Sequence, residues 1–426
     1  MEEDRFPPER STVTSGPKSS FVVVLVATGV SGLCGFVSTS LVAGVIGSSR
    51  YAIFAVFWSM LYLLIGALSG IQQEVTRATF RAQFSSTRVS RARGFAVVGA
   101  VLVFALVIGS ATIWVGLVFP AEGWALVWPV AVGAASYVGV ATFAGSLFGI
   151  GEWTTLAVMI ATDGVMRLAA LAIALMFTSD IPTLAWAVAL PFPVTLLVIW
   201  PIFRRRLVGM SDLDVGYRKL TTNVAKTIAA ATATAVIISG FPLVLGVTSS
   251  GTPTEQLSVL ILAITLTRAP VVITAMSLQG YLIVRFRQDP ASVWRTLWLG
   301  LAGVTALAAV LAVVGLIAGP GTLVAIFGEE YRIDGHVIAA LIASSALVGA
   351  LCISGPAELA AGRHGHYAAG WIVGAIGTIG MLLIPSDFTA RVISALVVGP
   401  SLGLVVHLVD LWLTHRRRKE PLCSQL

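Results

Sequence analysis

The sequence predicts an all-α polytopic membrane protein of about 12 transmembrane helices, arranged in two six-helix lobes with both termini in the cytoplasm. Three observations carry this expectation. Apolar stretches recur along nearly the whole chain, most of them near the roughly 20 residues that cross a ~30 Å hydrocarbon core. Basic residues crowd alternate gaps between them, as the positive-inside rule requires. The longest interior polar stretch, 204–222, leaves six apolar runs on either side. Composition agrees, with 57% hydrophobic and 11% charged residues and a mean hydropathy of +0.92, against roughly 25% charged residues in an average soluble domain.

The N-terminal tail, 1–20, is polar, and the first apolar run, 21–46, is too long for a signal-peptide core and lacks a small-residue cleavage site. It therefore stays in the protein as helix 1. Along it Thr28, Gly32, Gly35 and Thr39 follow 4-3-4 spacing, with Ser31 and Ser38 beside them. Small residues so spaced either let helices pack closely or let the helix bend and present hydroxyls to a ligand. The second run, 52–71, leads into the densest basic loop, Arg77, Arg81, Arg88, Arg91 and Arg93, which marks the cytoplasmic side and offers a cationic rim to anionic head groups. Runs 94–118, 125–149, 153–177 and 184–203 complete an N-terminal lobe at 21–203. Trp114, Trp124, Trp128, Trp153, Trp186 and Trp200 lie near span ends, where indoles anchor at the interface. In the fifth run Asp163 and Arg167 are spaced i, i+4 with the acid first, so they either neutralise each other on one helix face or line a cavity as a site or proton relay.

The connector 204–222 is cytoplasmic and basic. Beyond it runs 223–247, 257–284, 294–318, 337–360, 366–385 and 390–414 form a C-terminal lobe at 223–414, followed by a basic tail at 415–426. Arg268 lies about eleven residues into the eighth run, ~16 Å deep. A cation there costs at least roughly 2.5–3.5 kcal/mol, so it faces water, an anion, or an acid such as Glu358 of the tenth run. Pro270 adds a kink and frees backbone carbonyls. Glu358 is itself intramembrane, and either pairs with a cation or titrates during transport. Gln73, Phe80 and Arg81 recur 206 residues later as Gln279, Phe286 and Arg287, which pairs the second span of each half and makes the halves parallel repeats. The exterior loops hold few cations, Arg50, Arg332 and Arg391, and instead carry Glu122, Asp180, Glu255, Glu329, Glu330, Asp334 and Asp387.

Several classes of function are excluded. The net charge of +7 sits at span ends rather than on one soluble face, so the partner is the lipid bilayer and no nucleic acid is expected. With no GxxxxGK[ST] motif, ATP hydrolysis is out. His336, His364, His366, His407 and His415 are scattered, and Cys34, Cys352 and Cys423 build no disulfide framework, so no metal or other cofactor is expected. No Ser/His/Asp motif is present. The longest exterior loop, 319–336, is short for the catalytic acids of a membrane-embedded glycosyltransferase or polymerase.

Gly47-Ser-Ser-Arg-Tyr51-Ala-Ile-Phe54 at the start of helix 2, Gln72-Gln-Glu-Val-Thr-Arg77 at its end, and Ile326-Phe-Gly328-Glu-Glu-Tyr331 before helix 10 resemble the polysaccharide-exporter branch of the multidrug/oligosaccharidyl-lipid/polysaccharide (MOP) superfamily. The resemblance runs from about 21 to 414. It implies a MATE-like fold of two six-helix lobes around a central cavity that opens alternately inward and outward. It also implies a non-enzymatic, monomeric flippase of the bacterial inner membrane, moving a glycan linked to a polyprenyl pyrophosphate carrier. Twelve spans, and a helix 1 without arginine, set the chain apart from the fourteen-span lipid II flippases. Under this reading the candidate substrate-binding residues are Arg268, Asp163, Arg167, Glu358, Ser31, Ser38 and Arg77, with Arg268 holding the pyrophosphate through its planar guanidinium. A multidrug/cation antiporter of the same superfamily is the alternative; the lack of an acid in helix 1 and the cationic midplane count against it.

Overall fold

A computed structural model describes residues 17–83, 90–207, 212–249, 252–289 and 292–419. In chain order its helices are α1 (Pro17–Ile46), α2 (Ser48–Ala82), α3 (Ala92–Val118), α4 (Trp124–Ile150), α5 (Trp153–Phe177), α6 (Ile181–Ala189), α7 (Pro191–Leu207), α8 (Tyr217–Ile238), α9 (Phe241–Thr248), α10 (Thr254–Gln288), α11 (Val293–Phe327), α12 (Gly335–Ala360), α13 (His364–Leu382) and α14 (Phe388–Lys419). Every expected apolar run falls on one helix or on a broken pair. The sixth run breaks at Leu190, where Pro191 and Pro193 cannot donate to the ladder. The seventh breaks at Ser239-Gly240, followed by Phe241-Pro242.

Among the described residues eleven stretches are long and apolar enough to cross a bilayer, in keeping with the about twelve helices expected. The expected run not among them falls on α13, a 19-residue helix whose hydropathy is diluted by His364, His366, Tyr367 and repeated glycines, and which packs along α14. The exterior loop at 319–336, expected to be short, is shorter still. There α11 runs on to Phe327, a single 3-10 turn holds Glu329–Tyr331, and the Asp334 carboxylate caps α12 by accepting from His336 N–H at 2.7 Å.

The two halves repeat one another. Helices α2 and α10 each have 35 residues and share the 206-residue offset at both ends. Each packs along the fourth span of its own half, α2 on α4 and α10 on α12. Those partners stop at equivalent glycines in the left-handed region, Gly151 (φ 78°) and Gly362 (φ 75°).

On the exterior side one hydrophobic core runs across both halves, through Val42, Phe54, Phe327 and Leu341. Polar contacts seal it. The Ser48 hydroxyl donates to Glu330 at 2.9 Å, Tyr331 donates to the Ala43 carbonyl at 3.2 Å, and Ser258 accepts from Ala52 N–H at 2.9 Å while donating to the Ser48 carbonyl. Burial raises the Tyr331 hydroxyl above its ordinary pKa. On the cytoplasmic side the connector is pinned to the N-terminal half: strand β1 (Ser90–Arg91) pairs antiparallel with β2 (Asp212–Leu213), and Tyr217 donates to the Arg91 carbonyl at 3.0 Å. The cytoplasmic half of α1 and that of α10 carry exposed apolar side chains, such as Val26 at 59% and Tyr281 at 60%.

Candidate functional site

Where the two halves meet, one face of α2 and one face of α10 enclose a cavity of 240 Å³. Tyr51, Ala55, Trp58, Ser59 and Tyr62 recur at helical spacing on α2, and Ile264, Arg268, Val272 and Met276 do so on α10, so each helix presents a single stripe to it. Thr39 of α1 and the Ser239 break of the seventh span close the remaining sides. Trp58 and Tyr62 stack at 4.8 Å with planes 14° apart, forming an aromatic wall. The α2 stripe was overlooked at the level of sequence, although the i, i+4, i+7, i+8, i+11 spacing of these five residues is legible there.

Arg268 is 7% exposed and lines this cavity. Its guanidinium donates to the Ile237 carbonyl at 3.1 Å and lies 5.8 Å from the Phe241 ring centroid. Ile237 sits in the last turn of α8, whose carbonyls have no partner further along the helix, so a cation is well placed there. The suggested pairing of Arg268 with Glu358 is not what the structure holds. Glu358, with 0% exposure, instead lies 3.1 Å from Arg363, which also meets Asp410 at 2.7 Å, with His366 3.4 Å from the same Asp410. This cluster is inside the C-terminal lobe at its cytoplasmic end, apart from the cavity, because α12 turns its Glu358 face toward α14.

Arg167 has a matching construction. It donates to the Val188 carbonyl at 3.3 Å, in the last turn of α6, and lies 4.4 Å from the Phe192 ring just past that break. Its other end pairs with Asp163 at 2.7 Å, so the charge is neutralised within the N-terminal lobe. Tyr62 connects the two settings, lining the cavity while its ring lies 5.6 Å from Arg167.

The remaining candidates lie elsewhere. Ser31 packs on α5, where a Cβ added to Gly164 would come within 2.8 Å of it. Ser38 is fully buried with no hydrogen-bond partner for its hydroxyl among the described residues, and does not line the cavity. The helix 1 hydroxyl that does so is Thr39, which is bonded to its own helix at Phe36 and Gly35. Arg77 pairs with Glu74 at the cytoplasmic end of the seam between halves, and Asn223 from α8 donates to the same carboxylate at 2.7 Å.

No family model matches the chain. Two uncharacterized proteins of Mycobacterium tuberculosis are each 30% identical to it, one over 392 residues (90% of both chains) and one over 404 residues (93% of both). Among solved structures, the inward-facing conformation of a multidrug resistance MATE family transporter of the MOP superfamily superposes with a TM-score of 0.71 at 14% identity, covering 94% of this chain and 99% of that one. The outward-facing conformation of such a transporter gives 0.61 at 14% identity, covering 96% and 98%. The lipid II flippase MurJ in an inward closed conformation gives 0.68 at 13% identity, covering 92% and 87%. The chain thus has the MATE fold, and fits the inward-facing form better than the outward-facing one.

Proposed function

Since the chain belongs to the same family as these mycobacterial proteins and carries the MATE fold, we propose that it is an alternating-access transporter, one that moves a lipid-linked oligosaccharide or related anionic glycolipid from the inner to the outer leaflet of a bacterial cell membrane. Arg268 carries the reading. It is a buried cation facing the cavity between the lobes, none of the described residues lining that cavity is an acid, and among the described residues its hydrogen-bond acceptor is a neutral carbonyl. A phosphate or pyrophosphate supplies the missing counter-charge through paired hydrogen bonds. The cavity's 240 Å³ is below the roughly 300–1,000 Å³ of a ligand pocket, so loading requires the lobes to part. The exposed apolar flanks of α1 and α10 on the cytoplasmic side suit a substrate whose lipid chain stays in the bilayer. Nothing in this cycle requires bond chemistry or a second copy of the chain.

The aromatic wall supports a second reading, multidrug antiport, because Trp58 and Tyr62 offer π faces to organic cations. The positive cavity opposes it. Translocation of a polyprenyl-pyrophosphate-linked oligosaccharide in proteoliposomes tests both. At equal protein level Arg268→Ala is expected to lose translocation and Arg268→Lys to regain part of it, since a point charge lacks the bidentate geometry. Full activity of Arg268→Ala, or extrusion of organic cations by wild type that this substitution leaves intact, overturns the proposal.

A further inference from the structure

A second cavity, of 340 Å³, lies in the N-terminal lobe between the cytoplasmic halves of α3, α4 and α7. Its walls come from Ala96, Gly139, Phe143 and Leu197, with Arg93 and Trp200 toward the cytoplasmic end. At Gly139 the Leu196 side chain packs directly on the α4 backbone, 2.8 Å from where a Cβ would stand, and Trp200 is held at 5.9 Å against the Phe143 ring. Two hydroxyls line it, and both are spent within α4: Thr142 donates to the Val138 carbonyl at 2.8 Å and Ser146 to the Thr142 carbonyl at 3.1 Å. The walls therefore accept hydrocarbon and offer a polar ligand nothing. Arg93, in the first turn of α3, is exposed and forms no ion pair among the described residues. Arg91 lies beside it in sequence, and the sequence places Arg204, Arg205 and Arg206 on the same end of α7.

We infer that this groove binds one anionic phospholipid of the inner leaflet, with an acyl chain between α3 and α7 and the phosphate on Arg93. The leaflet follows from the positions of Arg93 and Trp200 at the cytoplasmic ends of their helices. The chain follows from the apolar walls, and the anionic head group from a guanidinium at head-group level that forms no ion pair among the described residues. The Arg91 carbonyl two residues away holds Tyr217 at the start of α8, so the lipid adds a contact next to the anchor of the inter-lobe connection. The site is independent of the substrate cavity.

Native mass spectrometry of the full chain in detergent, with phosphatidylglycerol and phosphatidylcholine of identical acyl chains, tests the inference. Wild type is expected to retain one phosphatidylglycerol at several-fold higher occupancy than phosphatidylcholine. Arg93→Gln lowers phosphatidylglycerol to the phosphatidylcholine level, and Ala96→Phe, which fills the groove, lowers both. Arg81→Gln, an exposed arginine outside the groove, leaves the preference as in wild type. Equal retention of the two lipids by wild type, a preference that survives Arg93→Gln, or one lost equally in Arg81→Gln overturns it. Should Ala96→Phe fail to fold, the Arg93 and Arg81 arms decide alone.

Discussion

Arg167 and Arg268 are built alike and differ in one partner. Each donates to a carbonyl in the last turn before a helix break and lies over the phenylalanine four residues further on, Val188 with Phe192 and Ile237 with Phe241. Asp163 satisfies the first arginine, and among the described residues no acid reaches the second. Removing one partner of a buried pair strands the other charge, at a typical cost of about 3–5 kcal/mol. Asp163→Ala is therefore expected to lower the thermal unfolding midpoint markedly, and Asp163→Ala with Arg167→Met to recover most of the loss, because an apolar side chain of similar length then fills the site. If the double variant is no more stable than the single one, the pair serves more than mutual neutralisation. The i, i+4 spacing made this pair legible in sequence. The carbonyl partners were not, because they depend on where α6 and α8 break.

At the scale of helices, the seam between halves rests on close backbone approach. Thr227 of α8 donates to the Gly70 carbonyl of α2 at 2.9 Å, and a Cβ on Gly70 would lie 2.6 Å from the Ile228 nitrogen. Backbone cannot step aside as a flexible side chain does, so Gly70→Ala pushes α8 off α2 and is expected to destabilise by about 1–3 kcal/mol. Gly109, on the exposed face of α3 with nothing within 4 Å of its would-be Cβ, is the control. Gly109→Ala is expected to leave the midpoint unchanged or slightly raised, since alanine favours helix. Equal effects of the two substitutions count against tight α2–α8 packing. Ser59 ties the same seam further out, donating to the Ser239 carbonyl at 2.6 Å and accepting from Leu243 N–H at 3.0 Å across the break.

Over the whole molecule, the exterior side is closed by Ser48, Glu330, Tyr331 and Ser258, while α1 and α10 are exposed on the cytoplasmic side. A transporter that alternates must break the exterior set. Cysteines at Ser48 and Glu330, in a background lacking Cys34, Cys352 and Cys423, are expected to join through a short bifunctional thiol reagent and to abolish transport until the link is cleaved. Undiminished transport by fully linked protein rules out opening at this seal.

The approximate number and the order of the apolar helices were readable from composition alone, because a bilayer imposes a length on each span separately. The weakest apolar signal belongs to α13, whose glycines and histidines are tolerated because it lies against α14 rather than standing in lipid alone. The depth of Arg268 and the pairing of Asp163 with Arg167 were likewise visible, since both follow from position along a single helix. Which residues share the cavity was not. Ser31 and Ser38 turned inward, Thr39 and the α2 aromatic stripe took the lining, and Glu358 found Arg363 rather than Arg268. Those outcomes are set by the rotation of each helix about its axis and by where broken helices end. Both arise from packing against neighbours distant in the chain, which no local pattern encodes.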